Sequence, residues 1–311
     1  MAFFSVLIPV YNQVGKMQEC IDSLNAQSFT DLEIIMVDDG STDDSYQMLL
    51  SFAGKDPRIK VFRHEKNSSL VGARYTGMQH ASGEYVFFLD SDDSITADAF
   101  EILHKKLIES RPDILRFGYR SEPSGEVTLP PAADDMLELM FRGGVAPAVW
   151  KNVYKRELTD KLVANTQPFY CNMSEDVYFS TVFFTFAEKV EAIDDVLYIY
   201  QSGTGMSSAS NSSTLTLEKF RRSLRDTVKA GEEIMAFLQR FAPERMQAAQ
   251  EAVDRMNKFV FLQHSAFEKD YRKIVEYAYE YKLQGFDDLY DSICNESLKR
   301  KVLFDEGYYK P

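Results

Sequence analysis

A run of apolar residues followed by three carboxylates, at positions 85–93, carries the clearest chemistry in the sequence. It reads Tyr-Val-Phe-Phe-Leu-Asp-Ser-Asp-Asp, which predicts a buried strand that ends in acidic side chains. Asp90 and Asp92 lie on the same side of an extended chain, so they can converge on one cation. A cation held by one or two protein carboxylates is typical of Mg²⁺ or Mn²⁺ shared with substrate phosphates. The alternative is a capping role, since Ser91 or Asp93 could cap the helix that follows.

The elements that would position these carboxylates alternate between strand and helix over the first 120 residues. Strands are predicted at 4–10, 33–37, 59–63, 85–89 and 114–119, with helices near 17–24, 43–52, 71–81 and 97–109. Such alternation predicts an α/β fold with a mostly parallel sheet and helices on both faces. Ligands of these sheets bind beyond the carboxyl ends of the strands. Three predicted strands end there in polar residues: Tyr11-Asn12, Asp38-Asp39-Gly40 and Asp90-Ser91-Asp92.

Length, charge and cysteine usage narrow the class of protein. The chain has 311 residues and a net charge of −13, with 48 acidic and 35 basic residues, which argues against a nucleic-acid partner. Cys20, Cys171 and Cys294 are odd in number and far apart, so we expect a reducing compartment and no disulfide framework. Residues 2–10 are apolar but too short for a membrane span or a signal peptide. We therefore expect a cytoplasmic protein, which could contact the inner face of the cell membrane.

The rest of the chain is less regular. Residues 121–133 are rich in Pro, Ser, Gly and charge and predict a surface loop, and a mixed region follows to residue 200. Residues 202–213 form a polar Gly/Ser segment that we interpret as a mobile loop. From residue 215 the pattern is helical, with breaks at Pro243 and Gly285. The predicted organisation is therefore one domain over residues 1–205 and a helical C-terminal region over residues 215–311.

Several short motifs resemble glycosyltransferase family 2, whose members share the Rossmann-like GT-A fold. The matching pieces are Pro9-Val10-Tyr11-Asn12, Val37-Asp38-Asp39-Gly40-Ser41-Thr42-Asp43, Ala73-Arg74, Gly83-Glu84-Tyr85, Asp90-Ser91-Asp92-Asp93 and Ser174-Glu175-Asp176. They occur in the order of the family and at about its spacing. The resemblance, to the bacterial surface-polysaccharide type, implies a nucleotide-sugar half at about 1–120 and an acceptor half at about 121–205.

The resemblance also implies a donor site and a metal ligand. Donor binding is expected at Pro9, Val10, Tyr11, Asn12, Asp39, Arg74, Asp90 and Ser91, and metal binding at Asp92, with Mn²⁺ or Mg²⁺ as the cofactor. Asp39 would accept a hydrogen bond from the nucleotide base, although Asp-Asp-Gly-Ser is also a good turn sequence. Tyr11 could instead cover the core, and Arg74 could instead form a surface ion pair.

Glu175 and Asp176 stand where a helix is expected to begin. Ser174 and two acids precede an apolar helical run, so one interpretation is helix capping and complementation of the helix dipole. In similar enzymes the Asp of this pair is the general base that takes a proton from the acceptor hydroxyl, a role that contributes roughly 10²–10⁴-fold in rate. We expect Asp176 to act in this way, with Glu175 in support.

Three departures from the family pattern bear on the predicted function. Tyr75 stands where Asn usually follows Ala-Arg, Gln201 stands where Arg often follows Tyr-x-Tyr, and the chain reads Trp150-Lys151-Asn152 where many members read Trp-Asn-Lys.

The predicted function is metal-dependent, inverting sugar transfer from a nucleoside diphosphate-sugar, with UDP as the expected carrier. The acceptor would be a saccharide or a lipid-linked saccharide, and a second copy of the chain could be a partner. The alternative is a non-catalytic nucleotide-sugar binder within a glycan assembly complex.

Overall fold

The computed structural model describes residues 2–131, 133–202 and 217–265. Its strands are β1 Phe4–Val10, β2 Leu32–Asp38, β3 Ile59–Arg63, β4 Tyr85–Phe88, β5 Ser94–Ile95, β6 Ile114–Glu122, β7 Glu126–Thr128, β8 Asn152–Lys155 and β9 Val190–Gln201. Its helices are α1 Met17–Asn25, α2 Ser45–Ala53, α3 Ser69–His80, α4 Ala99–Ser110, α5 Met136–Phe141, α6 Arg156–Asn165, α7 Glu175–Phe186, α8 Leu217–Phe241 and α9 Met246–Ser265. Short 3₁₀ turns occupy Val149–Lys151 and Pro243–Arg245.

The strands of the described residues form one mixed sheet in the order β3-β2-β1-β4-β8-β6-β9-β5, with β7 paired to β6. The first four strands along the chain pair in parallel, as predicted. β8 then runs antiparallel between β4 and β6, whereas β6 and β9 pair in parallel. The parallel half of the sheet thus comes from the regular alternation of the sequence, and the mixed half from the less regular region.

The parallel strands are apolar at almost every position because both faces of the sheet are covered. Val6 and Ile8 of β1 face a core that includes Met17 of α1 and Phe100 of α4. The alternate residue Leu7 faces the other core, which is built around α3, α6, α7 and α8. Helices therefore lie on both faces, as the sequence predicts.

The C-terminal helices pack onto the second of these cores. Ala230, Ile234 and Leu238 of α8 are buried in the same cluster as Phe179 and Phe183 of α7. The helical pattern predicted from residue 215 onward is thus observed over 217–265. Most of the predicted polar loop at 202–213, and all residues after 265, lie outside the described residues. Among the helices of the described ranges, none has the length and apolar character that a membrane crossing requires.

The segment predicted as a surface loop, residues 121–133, begins with regular structure instead. β6 continues to Glu122 because it pairs with β9 on one side and with β7 on the other. The turn between β6 and β7 contains Gly125 in the left-handed region, at φ +71°. The loop prediction was therefore wrong for the hairpin, since the Pro, Ser and Gly residues form its turn.

A buried carboxylate ties the strands together at the edge of the sheet opposite their carboxyl ends. Glu33 of β2 accepts hydrogen bonds from Ser5 Oγ at 2.6 Å, Ser82 N at 2.7 Å and Lys60 Nζ at 2.7 Å. A Cβ on Gly83 would stand 2.6 Å from Ser5 N, so only glycine fits in this close approach to β1. The Gly-Glu-Tyr motif is thus explained by packing of the α3–β4 turn on β1.

Glu33 should make stability depend on pH. Burial acts to raise the pKa of Glu33, but its hydrogen bonds outweigh that effect and lower the pKa from 4.5 to about 2. The resulting stabilisation, roughly 3 kcal/mol, is complete above pH 4.5 and is lost as the pH falls toward 2. Urea unfolding should therefore show a stability gap between wild type and Glu33→Gln that is largest at pH 7 and shrinks at pH 3.5. Glu126→Gln, at an exposed position of β7, is the control. A gap that is constant with pH would contradict this role.

Candidate active site

A cavity of about 600 Å³ opens at the carboxyl ends of β1, β2 and β4. This is the size of a small-molecule site. Its lining includes ten of the eleven residues singled out in the sequence: Pro9, Val10, Tyr11, Asp39, Arg74, Asp90, Ser91, Asp92, Glu175 and Asp176. Residues of the second half also line it, among them Trp150 and Lys151, and α9 contributes Met256 and Val260.

Asn12, the remaining predicted residue, joins two loops at the rim. It adopts a left-handed conformation with φ 53° and is exposed. Its backbone N–H donates to Ser41 Oγ at 3.0 Å, and its side-chain oxygen accepts from Thr42 N at 2.8 Å. Asn12 therefore fixes the loop after β1 against the loop after β2, with its side chain directed to that loop.

Asp39 is buried at the end of β2 and held by two donors. Its Oδ1 accepts from Ser68 N at 2.7 Å and lies 2.7 Å from His64 Nδ1, while His64 Nε2 lies 2.8 Å from Thr76 Oγ1. Burial raises the pKa of Asp39, and the hydrogen bond with His64 opposes this rise. The carboxylate is thus held rigidly at one end of the cavity. No signal in the sequence pointed to His64.

Arg74 is the most constrained charge of the site. Its side chain is 1% exposed, and its Nη1 lies 3.3 Å from Glu175 Oε1 and 3.1 Å from Asp176 Oδ1. Its Nη2 donates to Asp90 Oδ1 at 3.2 Å. Burial alone would lower the pKa of Arg74, but the three carboxylates outweigh it and raise that pKa. The surface ion pair considered as an alternative is therefore wrong, because this guanidinium bridges β4 and α7 inside the protein.

Glu175 and Asp176 form the first turn of α7, at the centre of the cavity wall. Ser174 occupies the cap position with φ 68°, but it makes no capping hydrogen bond. Asp176 also accepts from Val149 N at 3.3 Å and keeps 25% of its side chain exposed. Burial raises the pKa values of Glu175 and Asp176, and Arg74 opposes the rise for both. Glu175 and Asp176 therefore line the cavity and pair with Arg74, in addition to lying at the first turn of α7.

The carboxylates after β4 divide into different environments. Asp93 is 2% exposed and accepts from Tyr198 Oη and Gln201 N, each at 2.7 Å. The cap position of α4 belongs to Asp98, so the capping role considered for Ser91 or Asp93 is wrong. Asp90 contacts Arg74, whereas Asp92 is partly exposed and lines the cavity.

The carboxylate oxygens after β4 fit a divalent cation that is shared with a substrate. In the described ranges, no group of three or more His, Cys, Asp or Glu side chains is arranged to hold a metal ion. Asp90 and Asp92 nevertheless offer hard carboxylate oxygens at the cavity wall. Mg²⁺ and Mn²⁺ are commonly bound by one or two carboxylates plus substrate phosphates. The residues present therefore fit a metal that completes its coordination with a diphosphate.

Two of the departures from the family pattern leave the carboxylates of the cavity in place. Tyr75 is buried in the core beside Phe179, and its hydroxyl hydrogen-bonds to Thr166 Oγ1. Gln201 contacts Asp93 through its backbone N–H, which any residue could supply. Neither departure removes a carboxylate from the cavity.

Comparisons with known proteins give a family match. The sequence matches the family model described as "Glycosyl transferase family 2" over residues 5–173. It is similar to "Uncharacterized glycosyltransferase EpsJ" of Bacillus subtilis (strain 168), with 31% identity over 211 residues, which are 63% of this chain and 60% of EpsJ. The chain thus spans about three fifths of that relative.

Solved structures share the fold. The S. aureus TarS 1–349 structure in complex with UDP-GlcNAc has a TM-score of 0.57 at 21% identity, covering 90% of this chain and 92% of TarS 1–349. Mannosyltransferase PcManGT from Pyrobaculum calidifontis, in complex with GDP-Man and Mn²⁺, has a TM-score of 0.56 at 18% identity. The match covers 85% of this chain and 73% of PcManGT. These matches confirm the GT-A fold expected from the sequence.

Removal of Arg74 should destabilise the protein strongly. Arg74→Gln leaves three carboxylates close together without their cation, a change that typically costs about 3–5 kcal/mol for a buried ion pair. Urea unfolding at pH 7 measures this loss. The control is Arg111→Gln, because Arg111 pairs with Glu84 while 70% of its side chain is exposed, so its loss should cost no more than about 1 kcal/mol. Equal stability of the two variants would contradict the bridging role of Arg74.

Proposed function

The chain belongs to glycosyl transferase family 2, and we propose that it transfers a sugar from a nucleoside diphosphate-sugar to a saccharide or lipid-linked saccharide. The observation that carries this proposal is the bridge from Asp90 through Arg74 to Asp176 in one cavity. It joins the carboxylates after β4, where a diphosphate and a metal fit, to a carboxylate that can accept a proton. The nucleotide-sugars bound by TarS and PcManGT support the same substrate class.

The nucleotide would bind at the Asp39 end of the cavity. Pro9, Val10 and Tyr11 line this end beside Asp39, whose carboxylate is held in place by Ser68 N and His64. An ionised carboxylate is an acceptor only, so it would pair with an N–H of the base. The imide N–H of uracil is such a group, and we propose a UDP-linked sugar, the class of nucleotide-sugar in the TarS complex. Because the Asp39 carboxylate is already fixed, little side-chain entropy is lost when the base binds.

The diphosphate would lie beside the acids after β4. Asp92 would hold Mn²⁺ or Mg²⁺, with Asp90 and Ser91 directed toward the ribose or the sugar. When bound, the metal would supply Lewis-acid stabilisation of the negative charge on the departing nucleoside diphosphate. Arg74 keeps Asp90 in place at 3.2 Å and so fixes one wall of this part of the site.

Sugar transfer would be a single displacement with inversion at the anomeric carbon. Asp176 accepts the proton of the acceptor hydroxyl while the hydroxyl oxygen forms a bond to the anomeric carbon. The bond between that carbon and the phosphate oxygen breaks, and the nucleoside diphosphate leaves with the bonding electrons. Burial raises the pKa of Asp176, which makes it a stronger base than an exposed aspartate. Arg74 and Val149 N orient the carboxylate, and Glu175 shares the guanidinium.

A non-catalytic nucleotide-sugar binder is the second candidate. The departures at Tyr75 and Gln201 would favour it, but Tyr75 lies in the core and Gln201 contacts Asp93 through its backbone. Asp92 and Asp176, the residues that chemistry needs, are both present in the cavity. An enzyme is therefore the better supported candidate. Hydrolysis of UDP-sugars in the presence of Mn²⁺ distinguishes the two, because a pure binder leaves the donor intact.

Asp176→Asn should remove catalysis and retain donor binding. The amide keeps the shape of the carboxylate but cannot accept the proton, so kcat should fall roughly 10²–10⁴-fold. The UDP dissociation constant should change less than about twofold, because Asp176 acts on the acceptor side. Asp160→Asn, on the exposed side of α6, is the matched control and should keep full activity. Near-normal turnover of Asp176→Asn would show that the residue serves only the helix terminus.

Metal should strengthen nucleotide binding through Asp92. Calorimetry of UDP with Mn²⁺ should give a dissociation constant at least about tenfold lower than without metal, since the metal offsets the diphosphate charge. Asp92→Ala should lose this gain while Asp194→Ala, at an exposed position of β9, keeps it. Metal-independent UDP binding by the wild type would sink the proposed metal site.

A further inference from the structure

Among the described residues, two positive side chains near the cavity have no carboxylate partner. Arg116 of β6 is 3% exposed, and its guanidinium donates to three neutral groups: Asn152 Oδ1 at 3.2 Å, Pro131 O at 2.8 Å and Met136 Sδ at 3.3 Å. Lys151 lines the cavity and is half-buried. In the ranges that the structure describes, no carboxylate oxygen lies within 4.0 Å of the charged nitrogens of either residue. Lys151 therefore brings a positive charge to the same cavity as the acidic residues, and Arg116 lies buried behind it beside Asn152.

Burial of these cations is unfavourable without an anion. Burial lowers the pKa of Arg116, and it lowers the pKa of Lys151 to about 8, with Asp176 opposing the change and Arg116 adding to it. An unpaired buried charge is normally compensated by a partner or a ligand. The charges that act on Lys151 are those of Asp176 and Arg116. The ammonium thus lies near Asp176, the residue to which the proposed function assigns the acceptor hydroxyl.

An aromatic shelf surrounds the ammonium group. The Trp150 ring stacks on Tyr200 with centroids 5.3 Å apart and meets the Tyr119 ring edge-on at 5.0 Å. Lys151 Nζ lies 4.8 Å from the centre of the Tyr119 ring and 5.2 Å from that of Trp150. Tyr119, Trp150 and Tyr200 all line the cavity. Aromatic walls with one well-placed polar group are typical of sites that bind small organic ligands.

The order of residues after Trp150 decides which side chain reaches the cavity. Asn152 points inward, where it bonds to Arg116, donates to Ala148 O at 3.2 Å and donates to Tyr154 Oη at 2.9 Å. The order Trp-Asn-Lys would bring a lysine to this buried position beside Arg116 and an asparagine to the cavity. The order in this chain instead presents a cation to the ligand.

We propose that Lys151 and the aromatic shelf of Tyr119, Trp150 and Tyr200 form an acceptor subsite for a saccharide with an anionic substituent, a carboxylate or a phosphate. The sugar ring lies against the shelf, the anion pairs with the ammonium, and a hydroxyl of the same saccharide reaches Asp176. This inference rests on the proposed function, because it assigns the acceptor of that reaction. Lys151 selects the acceptor and does not bind the donor diphosphate.

Binding of matched probes tests the subsite. Methyl β-glucoside is the neutral probe, and methyl β-glucuronide and glucose 6-phosphate carry the carboxylate and the phosphate. Calorimetry on the full chain, with and without UDP and Mn²⁺, should show at least about tenfold tighter binding of one anionic probe, the gain expected of a charge-assisted contact. Lys151→Gln should abolish this preference and Lys151→Arg should keep it. The control is Lys155→Gln, because Lys155 pairs with Glu157 at 3.1 Å.

The outcomes separate this inference from the proposed function. Hydrolysis of a UDP-sugar by the wild type with Mn²⁺ reports the proposed function, and the probes without UDP report the subsite independently. Equal affinity for neutral and anionic probes in the wild type would overturn the subsite, as would a preference that survives Lys151→Gln. A tenfold loss of UDP affinity in Lys151→Gln would also overturn it, because the lysine would then serve the donor. Unchanged UDP affinity together with lost anion preference supports it.

Discussion

Burial of the Arg74 guanidinium is the constraint on which the arrangement of this cavity depends. A cation with 1% exposure must be surrounded by acceptors, and its carboxylates come from the end of β4 and from the first turn of α7. Asp90 lies 16 residues from Arg74 along the chain, whereas Glu175 lies 101 residues away. One side chain therefore holds the first turn of α7 against the end of β4.

The same interaction holds the carboxylates that the proposed sugar transfer would use. An apolar set of residues would often stabilise a protein as well as a buried ion cluster does, so stability alone does not explain this one. The cluster keeps Asp176 in a fixed position, partly exposed to the cavity, with a pKa raised by burial. It also leaves one wall of the cavity acidic, which suits a divalent cation, whereas Lys151 brings a positive charge to the same cavity.

The first half of the fold could be predicted from sequence because its signals are local. Apolar strands such as Phe4–Val10 alternate with amphipathic helices, and the polar residues that follow the strands meet at one edge of a parallel sheet. Ten of the eleven residues singled out do line one cavity. The exception, Asn12, could not be separated from them because its partners Ser41 and Thr42 lie on another loop.

Features that depend on distant parts of the chain escaped prediction. Strand β8 is only four residues long and pairs antiparallel with β4, so it lacks the pattern of its neighbours. The contact of His64 with Asp39 and the inward turn of Asp93 toward Tyr198 join segments 25 and 105 residues apart. The reversed order Lys151-Asn152 was visible in the sequence, but only the structure shows which of the two side chains faces the cavity.

The anomeric configuration of the released sugar tests the central claim most directly. The protein would be incubated with Mn²⁺ and an α-linked UDP-sugar that it hydrolyses, such as UDP-α-N-acetylglucosamine, and the product followed by proton NMR before mutarotation equilibrates it. With Asp176 activating the attacking hydroxyl or water for a single displacement, the first sugar released should be the β anomer. Release of the α anomer would contradict the account, because it requires retention of configuration.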